Sequence, residues 1–337
     1  MCKPSKHRDA TVKMSSEAPA LCVSGLQRHS LNGQTMGTRY SAIFFAPVGV
    51  DQPAISAALF AAVDRVDQQM STWKPDSDLS RLNALPEQQW LALPEELMTV
   101  LATALHIGQQ SRGAFDIGVG ELVNAWGFGP AASQAGAQQT SAPEQRPHHP
   151  ALDGLEIDRA GNRVRKRLPV TLDLSGIAKG YGVDALAKCL DGFGITRYLV
   201  GIDGEMRAKG LKPDGQAWAV AIEKPVRHVR EVMGVMELND AAIATSGDYR
   251  HWVEVQGQPY SHTMNPLNGQ PVRNRLAAVT VVMPSCMLAD AWATALLVLG
   301  ETDGVALAQK RSMDALFVLH NRDGFEEISL VGGQRQA

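Results

Sequence analysis

A carboxylate interrupts a run of apolar residues near the C-terminal end of the chain, and this restricts how the run can be buried. Residues Met287–Leu299 are almost entirely apolar, yet Asp290 lies among them and Thr294 follows one helical turn later. A buried carboxylate is costly unless a positive group meets it. Because residues i and i+4 share one face of a helix, Asp290 and Thr294 present two hard oxygens to one point. This predicts half of a Mg²⁺ site that shares its coordination with substrate phosphates and water.

The composition excludes several classes of function. Of the 337 residues, 45% are hydrophobic and 20% are charged, which permits a full core, and the net charge of −3 leaves no dominant basic surface. The basic cluster Arg163–Arg167 lacks interleaved aromatic residues, so it favours a polar hairpin and not a nucleic-acid site. The four widely spaced cysteines indicate neither a zinc site nor a disulfide framework. The adjacent His148 and His149 are interpreted as solvated loop residues.

The cellular location is predicted from what the sequence lacks. No apolar run is long enough to span a bilayer, so we expect no integral membrane segment. The first thirty residues lack the long apolar segment of a signal peptide. The stretch Ala18–Cys22 faintly resembles a lipoprotein cleavage site, but Leu21 is too large for one. We therefore expect a cytoplasmic protein, unless a leader has been trimmed.

Strands and helices are predicted in runs and not in strict alternation, which favours an α+β fold. We expect a disordered arm over residues 1–30 and one large domain over residues 31–335, with a low-complexity mobile loop over residues 130–150. Helices are predicted over 53–70, 77–83, from 94 to 113, in a short segment ending at 126, and over 176–190, 286–299 and 303–310. Strands are predicted over 35–45, 154–158, 163–167, 170–174, 198–201, 205–209, 218–222, 232–238, 242–245, 252–256, 276–283, 314–319 and 326–331.

Two residues around the start of the helix predicted over 176–190 are candidate phosphate contacts. Lys179 lies near the helix start with glycines close by, and helix N-termini receive phosphate well. The spacing does not match a Walker loop, so a solvated lysine is the alternative. Asp173 ends a predicted strand and is interpreted either as a ligand or as a helix cap.

Other loop residues also have both a functional and a structural interpretation. His262 follows a predicted strand and precedes a Pro–Gly turn, so it is either a general base or an incidental loop histidine. Asp116 closes a Gly-Ala-Phe-Asp stretch that a turn would also explain, and Ser246 either donates to phosphate or shapes its turn. Met36 and Trp73, beside glycine and proline breaks, are either core residues or walls for a flat heterocycle.

Seven short blocks, collinear between about residues 35 and 300, resemble the ApbE flavin transferase family, the FAD:protein FMN transferases. The blocks are Met36–Tyr40; Ser71–Ser77 with Leu79–Asn83; Gly113–Asp116 with Leu122 and Trp126–Gly129; Asp173–Tyr181 with Asp184; Ala244–Arg250; Ser261 and His262 with Pro266 and Gly269; and Ala289 and Asp290 with Thr294. The resemblance implies a single domain related to the T-fold, with a mixed or antiparallel sheet flanked by helices.

The resemblance also implies that FAD binds in an extended cleft and is cut at its pyrophosphate. The FMN half passes to a Thr or Ser hydroxyl of an acceptor flavoprotein, a redox subunit, and AMP leaves. Hydrolysis of FAD to FMN and AMP and a non-catalytic FAD-binding module are the alternatives. By position, the implied FAD contacts are Met36, Trp73, Ala114, Phe115, Asp116, Asp173, Lys179 and Met264. The implied Mg²⁺ ligands are the side chains of Asp290 and Thr294 and the carbonyls of Gly176 and Ala293, and the implied base is His262.

The chain departs from the family pattern in several places. Asn265 stands where many relatives carry Asp, and Ala293 stands where others carry an acidic residue, so Ala293 can supply only its carbonyl. The stretch Gly201–Gly204 replaces a more glycine-rich one, and residues 130–150 are unlike the usual helix. Because family members are commonly exported lipoproteins, a lipoprotein of the periplasm or inner membrane is the alternative to a cytoplasmic protein.

Overall fold

The computed structural model describes residues 25–130, 148–227, 229–249, 252–255, 258–322 and 324–336. The helices are α1 (Gln52–Met70), α2 (Asp78–Ala84), α3 (Glu95–Gln110), α4 (Gly120–Ala125), α5 (Ala151–Gly154), α6 (Ala178–Gly192) and α7 (Cys286–Lys310). The strands are β1 (Leu26–Thr35), β2 (Thr38–Pro47), β3 (Trp90–Ala92), β4 (Leu155–Asp158), β5 (Arg163–Lys166), β6 (Tyr198–Ile202), β7 (Glu205–Lys209), β8 (Trp218–Glu223), β9 (Val232–Leu238), β10 (Ala242–Gly247), β11 (Trp252–Val255), β12 (Gln258–Ser261), β13 (Met264–Asn265), β14 (Gln270–Pro271), β15 (Leu276–Met283), β16 (Asp314–Asn321), β17 (Gly324–Val331) and β18 (Gln334–Arg335).

A nine-stranded sheet forms the scaffold, with the strand order β1-β2-β6-β7-β10-β15-β16-β17-β18. Each neighbouring pair in this order is antiparallel. Smaller sheets are formed by β3-β5-β4, β8-β9, β11-β12 and β13-β14. The predicted α+β fold, with an antiparallel sheet flanked by helices, is confirmed.

The two faces of the large sheet are covered by different elements, because successive side chains of a strand point to opposite faces. On one face, Val200 of β6 packs with α1 and α6, and Val279 of β15 packs with α7. On the other face, Leu199 of β6 and Ile243 of β10 pack against Trp218 of the β8–β9 hairpin. Helices α6 and α7 therefore lie side by side on the same face of the sheet.

Helix α7 is the apolar helix that carries Asp290. Among the described residues, α7 alone has the length and composition to cross a membrane, but most of its apolar stretch is buried inside the fold. The predicted break between residues 299 and 303 is a kink at Gly300, with φ 80° and ψ −176°. This conformation favours glycine, which has no β-carbon.

The structure corrects the prediction at the start of the domain. The range 35–45, predicted as one strand, begins at the last residue of β1 and passes through a turn at Met36 and Gly37, whose φ angles are 46° and 71°, into β2. Two-residue hairpin turns of this type need positive φ at both positions. Strand β1 begins at Leu26, inside the range assigned to the disordered arm. Most of that arm, and residues 131–147 of the predicted loop, lie outside the described residues.

The strand predicted over 170–174 is also wrong. Thr171 forms an isolated bridge to Val119. The next residue, Leu172, uses its N–H and carbonyl to bind the side chain of Asn83, at 2.8 and 2.9 Å. This amide takes the place of a neighbouring strand, so the segment runs extended into α6 without joining a sheet. The short strands β3, β12, β13, β14 and β18, of two to four residues each, are absent from the predicted strands.

Candidate functional site

Helices α6 and α7 cross near the start of α6, and Gly180 makes the close crossing possible. A β-carbon on Gly180 would clash with the carbonyl oxygen of Cys286 and would lie 2.8 Å from the β-carbon of Asp290. The N–H of Gly180 donates to Oδ2 of Asp290 at 3.0 Å. Asp290, only 4% exposed, is therefore held against the first turn of α6.

Gly176 and Thr294 meet beside the same crossing. A β-carbon on Gly176 would lie 3.1 Å from Oγ1 of Thr294 and 3.3 Å from the ring of Phe115. The Thr294 hydroxyl is 2.9 Å from the hydroxyl of Ser246 on β10, and Ala293 is fully buried. The four predicted metal ligands therefore gather where α6 and α7 meet. We call Gly176, Lys179, Asp290, Ala293 and Thr294 the helix-crossing cluster.

Lys179 is held by carboxylates in the first turn of α6. Its Nζ lies 2.7 Å from Oε1 of Glu205 and 3.6 Å from Oδ2 of Asp203. Glu205 is 3% exposed, and its Oε2 has no hydrogen-bond partner among the described residues. Burial alone would lower the pKa of Lys179, but the carboxylates of Glu205, Asp290 and Asp203 outweigh it and raise that pKa above its usual value. Lys179 is therefore a fixed positive charge.

The carboxyl group of Asp290 is hard to ionise in the protein alone. Burial, followed by the neighbouring carboxylate of Glu205, raises the pKa of Asp290 from 3.8 to about 7, although Lys179 and the N–H of Gly180 lower it. Asp203, Glu205 and Asp290 thus place three carboxyl groups around the single ammonium of Lys179. The one ammonium of Lys179 can balance the charge of only one of these three carboxyl groups.

The N-terminus of α7 is fixed by Asp184 of α6. Its Oδ2 accepts hydrogen bonds from the Ser285 hydroxyl (2.7 Å) and the Met287 N–H (3.0 Å), and its Oδ1 accepts from the Cys286 N–H (3.0 Å). Arg207 of β7 pairs with the same carboxylate. Because the N-cap residue Ser285 makes no side-chain cap of its own, Asp184 serves as the helix cap from a neighbouring element. It thereby sets the position of the predicted metal ligands along α7.

Asp116 fixes the loop that presents Phe115 to Gly176. Its Oδ1 accepts from the N–H groups of Gly118 (2.8 Å) and Ala151 (3.0 Å), and the Nε2 of His148 lies 2.8 Å from its Oδ2. The prediction that His148 is solvated is wrong, because its side chain is only 14% exposed and partners a carboxylate that is 5% exposed. A contact between Asp116 and FAD stays a prediction.

The start of α6 offers fewer free N–H groups than the sequence suggests. Asp173 accepts from the N–H of Ser175 at 2.8 Å, so it closes a local turn, and it is not the N-cap, which is Ile177. The N–H of Ala178 is bonded to the carbonyl of Leu174, and that of Gly180 to Asp290. Phosphate binding here therefore depends mainly on the ammonium of Lys179.

The predicted base lies in a second group of residues, which we call the hairpin cluster: Trp126, Phe128, Tyr260, His262 and Met264. Met264 of β13 is 5% exposed and packs with Trp126. The rings of Trp126 and Tyr260 have centroids 5.0 Å apart, and Phe128 meets the imidazole of His262 edge-on at 6.3 Å. Of the two aromatic residues that follow α4, Phe128 thus borders the imidazole of His262, and Trp126 borders Tyr260 and Met264.

The segment Gly113–Asp116 connects the two clusters. A β-carbon on Gly113 would lie 3.5 Å from the side chain of Leu267, which belongs to the turn between β13 and β14. At the other end of the segment, Phe115 contacts Gly176, and both Ala114 and Phe115 are buried. The loop therefore contacts the turn between β13 and β14 at one end and Gly176 of the helix-crossing cluster at the other.

The two remaining predicted FAD contacts differ in their surroundings. The terminal methyl of Met36 would lie 3.1 Å from a β-carbon on Gly182, so the β1–β2 turn packs on α6 close to Lys179. Trp73 is 59% exposed, so the interpretation of Trp73 as a core residue is wrong. Its indole is free of the core and accessible to a planar ligand.

Comparison with known proteins places these elements in a family. The sequence model of the ApbE family matches residues 36–317, a range that contains both clusters. The FAD:protein FMN transferase of Vibrio cholerae is 40% identical over 311 residues, which cover 91% of this chain and 92% of that protein. The solved flavin transferase ApbE from Vibrio cholerae has a TM-score of 0.79 at 38% identity and covers 91% of this chain and 98% of its own. The apo flavinyl transferase ApbE of Pseudomonas stutzeri has a TM-score of 0.79 at 34% identity, covering 93% and 99% respectively.

Proposed function

The chain belongs to the ApbE family, and we propose that it transfers the FMN half of FAD to a threonine or serine hydroxyl of an acceptor flavoprotein and releases AMP. The observation that carries the proposal is the helix-crossing cluster. It combines a buried carboxylate, a hydroxyl and a fixed lysine at one point of the fold. Such a point suits a doubly charged pyrophosphate bound through a divalent cation.

The donor set of the cluster fits Mg²⁺. The side chains of Asp290 and Thr294 and the carbonyls of Gly176 and Ala293 would supply oxygen ligands only, which is the preference of a hard cation. Lys179 neutralises one of the three neighbouring carboxyl groups, so a divalent cation would balance the other two. Among the described residues, no three His, Cys, Asp or Glu side chains could hold a metal ion. The site would therefore need phosphate oxygens of the substrate to complete it.

FAD would extend from the helix-crossing cluster toward the hairpin cluster. Lys179 would meet the pyrophosphate, and Met36 and Phe115 would border it. Phe115 lies against Gly176 just before α6, and Met36 lies against Gly182 in the same helix as Lys179. Asp116 and Asp173 would act by holding their loops in place as much as by touching FAD, because each already accepts hydrogen bonds from the backbone. Exposed Trp73 would offer its face to a ring of the substrate.

The reaction is a displacement at phosphorus. His262 would take the proton of the acceptor hydroxyl, and a well-placed base of this kind is worth roughly 10²–10⁴ in rate. The hydroxyl oxygen then bonds to the phosphorus of the FMN half, while the bond from that phosphorus to the bridging oxygen breaks and its electron pair leaves with AMP. Lys179 would stabilise the charge that develops there. Bound Mg²⁺ would add further charge neutralisation at the pyrophosphate.

The proposal is tested by incubating the protein with FAD, Mg²⁺ and a candidate acceptor flavoprotein. Mass spectrometry then measures FMN added to the acceptor, and chromatography measures free FMN and AMP. FMN on the acceptor supports the proposal, whereas free FMN and AMP without it would assign the protein as an FAD pyrophosphatase. If FAD remains intact, the protein would be assigned as a non-catalytic FAD-binding module.

Two variants tie the activity to the proposed residues. Asp290→Ala should abolish the Mg²⁺-dependent turnover, because the cluster then loses its one carboxylate ligand. His262→Ala should keep FAD binding, measured by flavin fluorescence, and lose transfer by the factor expected for a general base. Full activity of Asp290→Ala would mean that the metal binds elsewhere.

A further inference from the structure

We propose that Glu205 is a positioning residue for this reaction: it holds Lys179 at the pyrophosphate end of the site and away from Asp290. The inference rests on the proposed function. Glu205 immediately follows the stretch Gly201–Gly204.

The backbone sets the location of Glu205 narrowly. Strands β6 and β7 form a hairpin in which Ile202 pairs with Glu205 across the two-residue turn Asp203-Gly204. Both turn residues have positive φ, 51° and 108°, as tight hairpin turns require. A slip of one residue would move Glu205 to the opposite face of the sheet. The turn therefore delivers the carboxylate to Lys179 in a fixed register.

The contacts of Glu205 do not favour the stability of the fold. Its Oε1 meets the Nζ of Lys179 at 2.7 Å, while its buried Oε2 has no hydrogen-bond partner among the described residues. A buried carboxylate that is only half satisfied destabilises a fold, and an apolar residue of similar size would often be tolerated better. Local costs of this kind are expected at functional positions.

Asp290 is an alternative partner for Lys179, and Glu205 prevents that pairing. The charge of Asp290 also acts on Lys179, and Asp290 is the proposed metal ligand on the facing helix. If Glu205 were neutral, Asp203 would hold Lys179 only at 3.6 Å, and the ammonium would be drawn toward Asp290. Lys179 would then compete with the cation for that carboxylate. Glu205 therefore keeps Asp290 available to the metal and Lys179 available to the phosphate.

The experiment compares Glu205→Gln, Lys179→Met and the double variant in the flavin-transfer assay, with FAD and Mg²⁺ varied separately. Glu205→Gln should lower kcat/KM for FAD by about 10- to 100-fold, the scale of a small misplacement of a catalytic group, and should raise the Mg²⁺ concentration needed for half-maximal rate. The double variant should be no slower than Lys179→Met, since Glu205 acts through Lys179. Glu231→Gln is the matched control, because Glu231 also pairs with a lysine, Lys224, at 2.9 Å on the exposed β8–β9 hairpin.

Two results would overturn the proposal: an unchanged Mg²⁺ requirement in Glu205→Gln, or additive losses in the double variant, which would indicate a merely structural role. If Glu205→Gln does not fold, Glu205→Asp keeps the charge and should show the same change in Mg²⁺ requirement to a smaller degree. A wild-type protein that places no FMN on any acceptor would instead sink the proposed function. In that case FAD titration in the presence of Mg²⁺ still tests the role of Glu205, because Glu205→Gln should bind FAD more weakly than wild type. Equal affinities would overturn that role.

Discussion

Gly180 is a position in the site where a side chain cannot be added without moving α6 and α7. An added β-carbon would press on the Cys286 carbonyl and on Asp290, so Gly180→Ala would push α6 and α7 apart. Overpacking of this kind costs typically about 1–3 kcal/mol, and the displaced Asp290 should also bind Mg²⁺ more weakly. Urea unfolding measures the first effect, and the Mg²⁺ dependence of flavin transfer measures the second.

Gly192→Ala is the matched control, because Gly192 lies in the same helix and a β-carbon there would meet nothing within 4 Å. Alanine is favoured over glycine in helices by about 1 kcal/mol or less, so this variant should be as stable as wild type or slightly more stable. If Gly180→Ala and Gly192→Ala have the same free energy of unfolding and the same Mg²⁺ dependence, the crossing of α6 and α7 is looser than the structure indicates.

His148 is a second residue whose substitution should change both the stability of the protein and its affinity for FAD. His148→Ala would leave Oδ2 of Asp116 without its partner at 2.8 Å in a nearly buried position, which costs about 1–3 kcal/mol. Because Asp116 holds the loop of Phe115, FAD affinity should fall together with stability. Thermal unfolding and FAD titration measure the two effects, and His149→Ala serves as the control that should alter neither by a comparable amount.

At the scale of elements, the cap that Asp184 provides to α7 is the contact most open to test. Asp184→Ala removes the acceptor for three donors at the start of that helix. Loss of a helix cap costs about 0.5–2 kcal/mol, and loss of the partner of Arg207 adds to it. The melting temperature should fall by several degrees, at about 2–4 °C per kcal/mol. Asp184→Asn, which keeps one oxygen acceptor, should recover part of the loss; no difference between the two variants would contradict the capping role.

Local patterns are sufficient to predict the helices that carry the site, but not the contacts between them. The i, i+4 spacing of Asp290 and Thr294 and the apolar run around them predicted α7 and its buried acidic group correctly, because both are properties of a single helix. Alternation predicts one strand through Met36 and Gly37, because alternation alone does not distinguish a strand from a hairpin whose tight turn lies inside the pattern.

Residues that act across the fold could not be predicted in the same way. Asp184 caps a helix whose N-cap residue is 101 positions away, and Glu205 reaches Lys179 only because a hairpin turn sets its register. The sequence around His148 does not reveal its partner, Asp116, which lies 32 residues earlier in the chain. In each case the deciding fact is a tertiary contact between residues far apart in the chain, which the local sequence pattern does not predict.

At the scale of the whole molecule, the helix-crossing cluster lies between the large sheet and the helices packed on it. Strands β6, β7 and β10 are neighbours in the large sheet and supply Asp203, Glu205 and Ser246 from one side, while α6 and α7 supply Lys179 and Asp290 from the helical layer above it. A ligand that joins these elements should therefore stabilise the entire fold and not only a loop.

This leads to a prediction about ligand-linked stability. A ligand that binds only the native state at 100 times its Kd stabilises it by about 2.7 kcal/mol. FAD and Mg²⁺ together should raise the melting temperature by more than the sum of their separate effects, because the pyrophosphate would complete the coordination that Asp290 and Thr294 begin. A chelator of Mg²⁺ should remove this extra rise in melting temperature, which we call the excess. Asp290→Ala should lack the excess, while FAD alone should still raise its melting temperature. An equal excess in Asp290→Ala, measured by scanning calorimetry, would show that the cation is bound outside the crossing of α6 and α7.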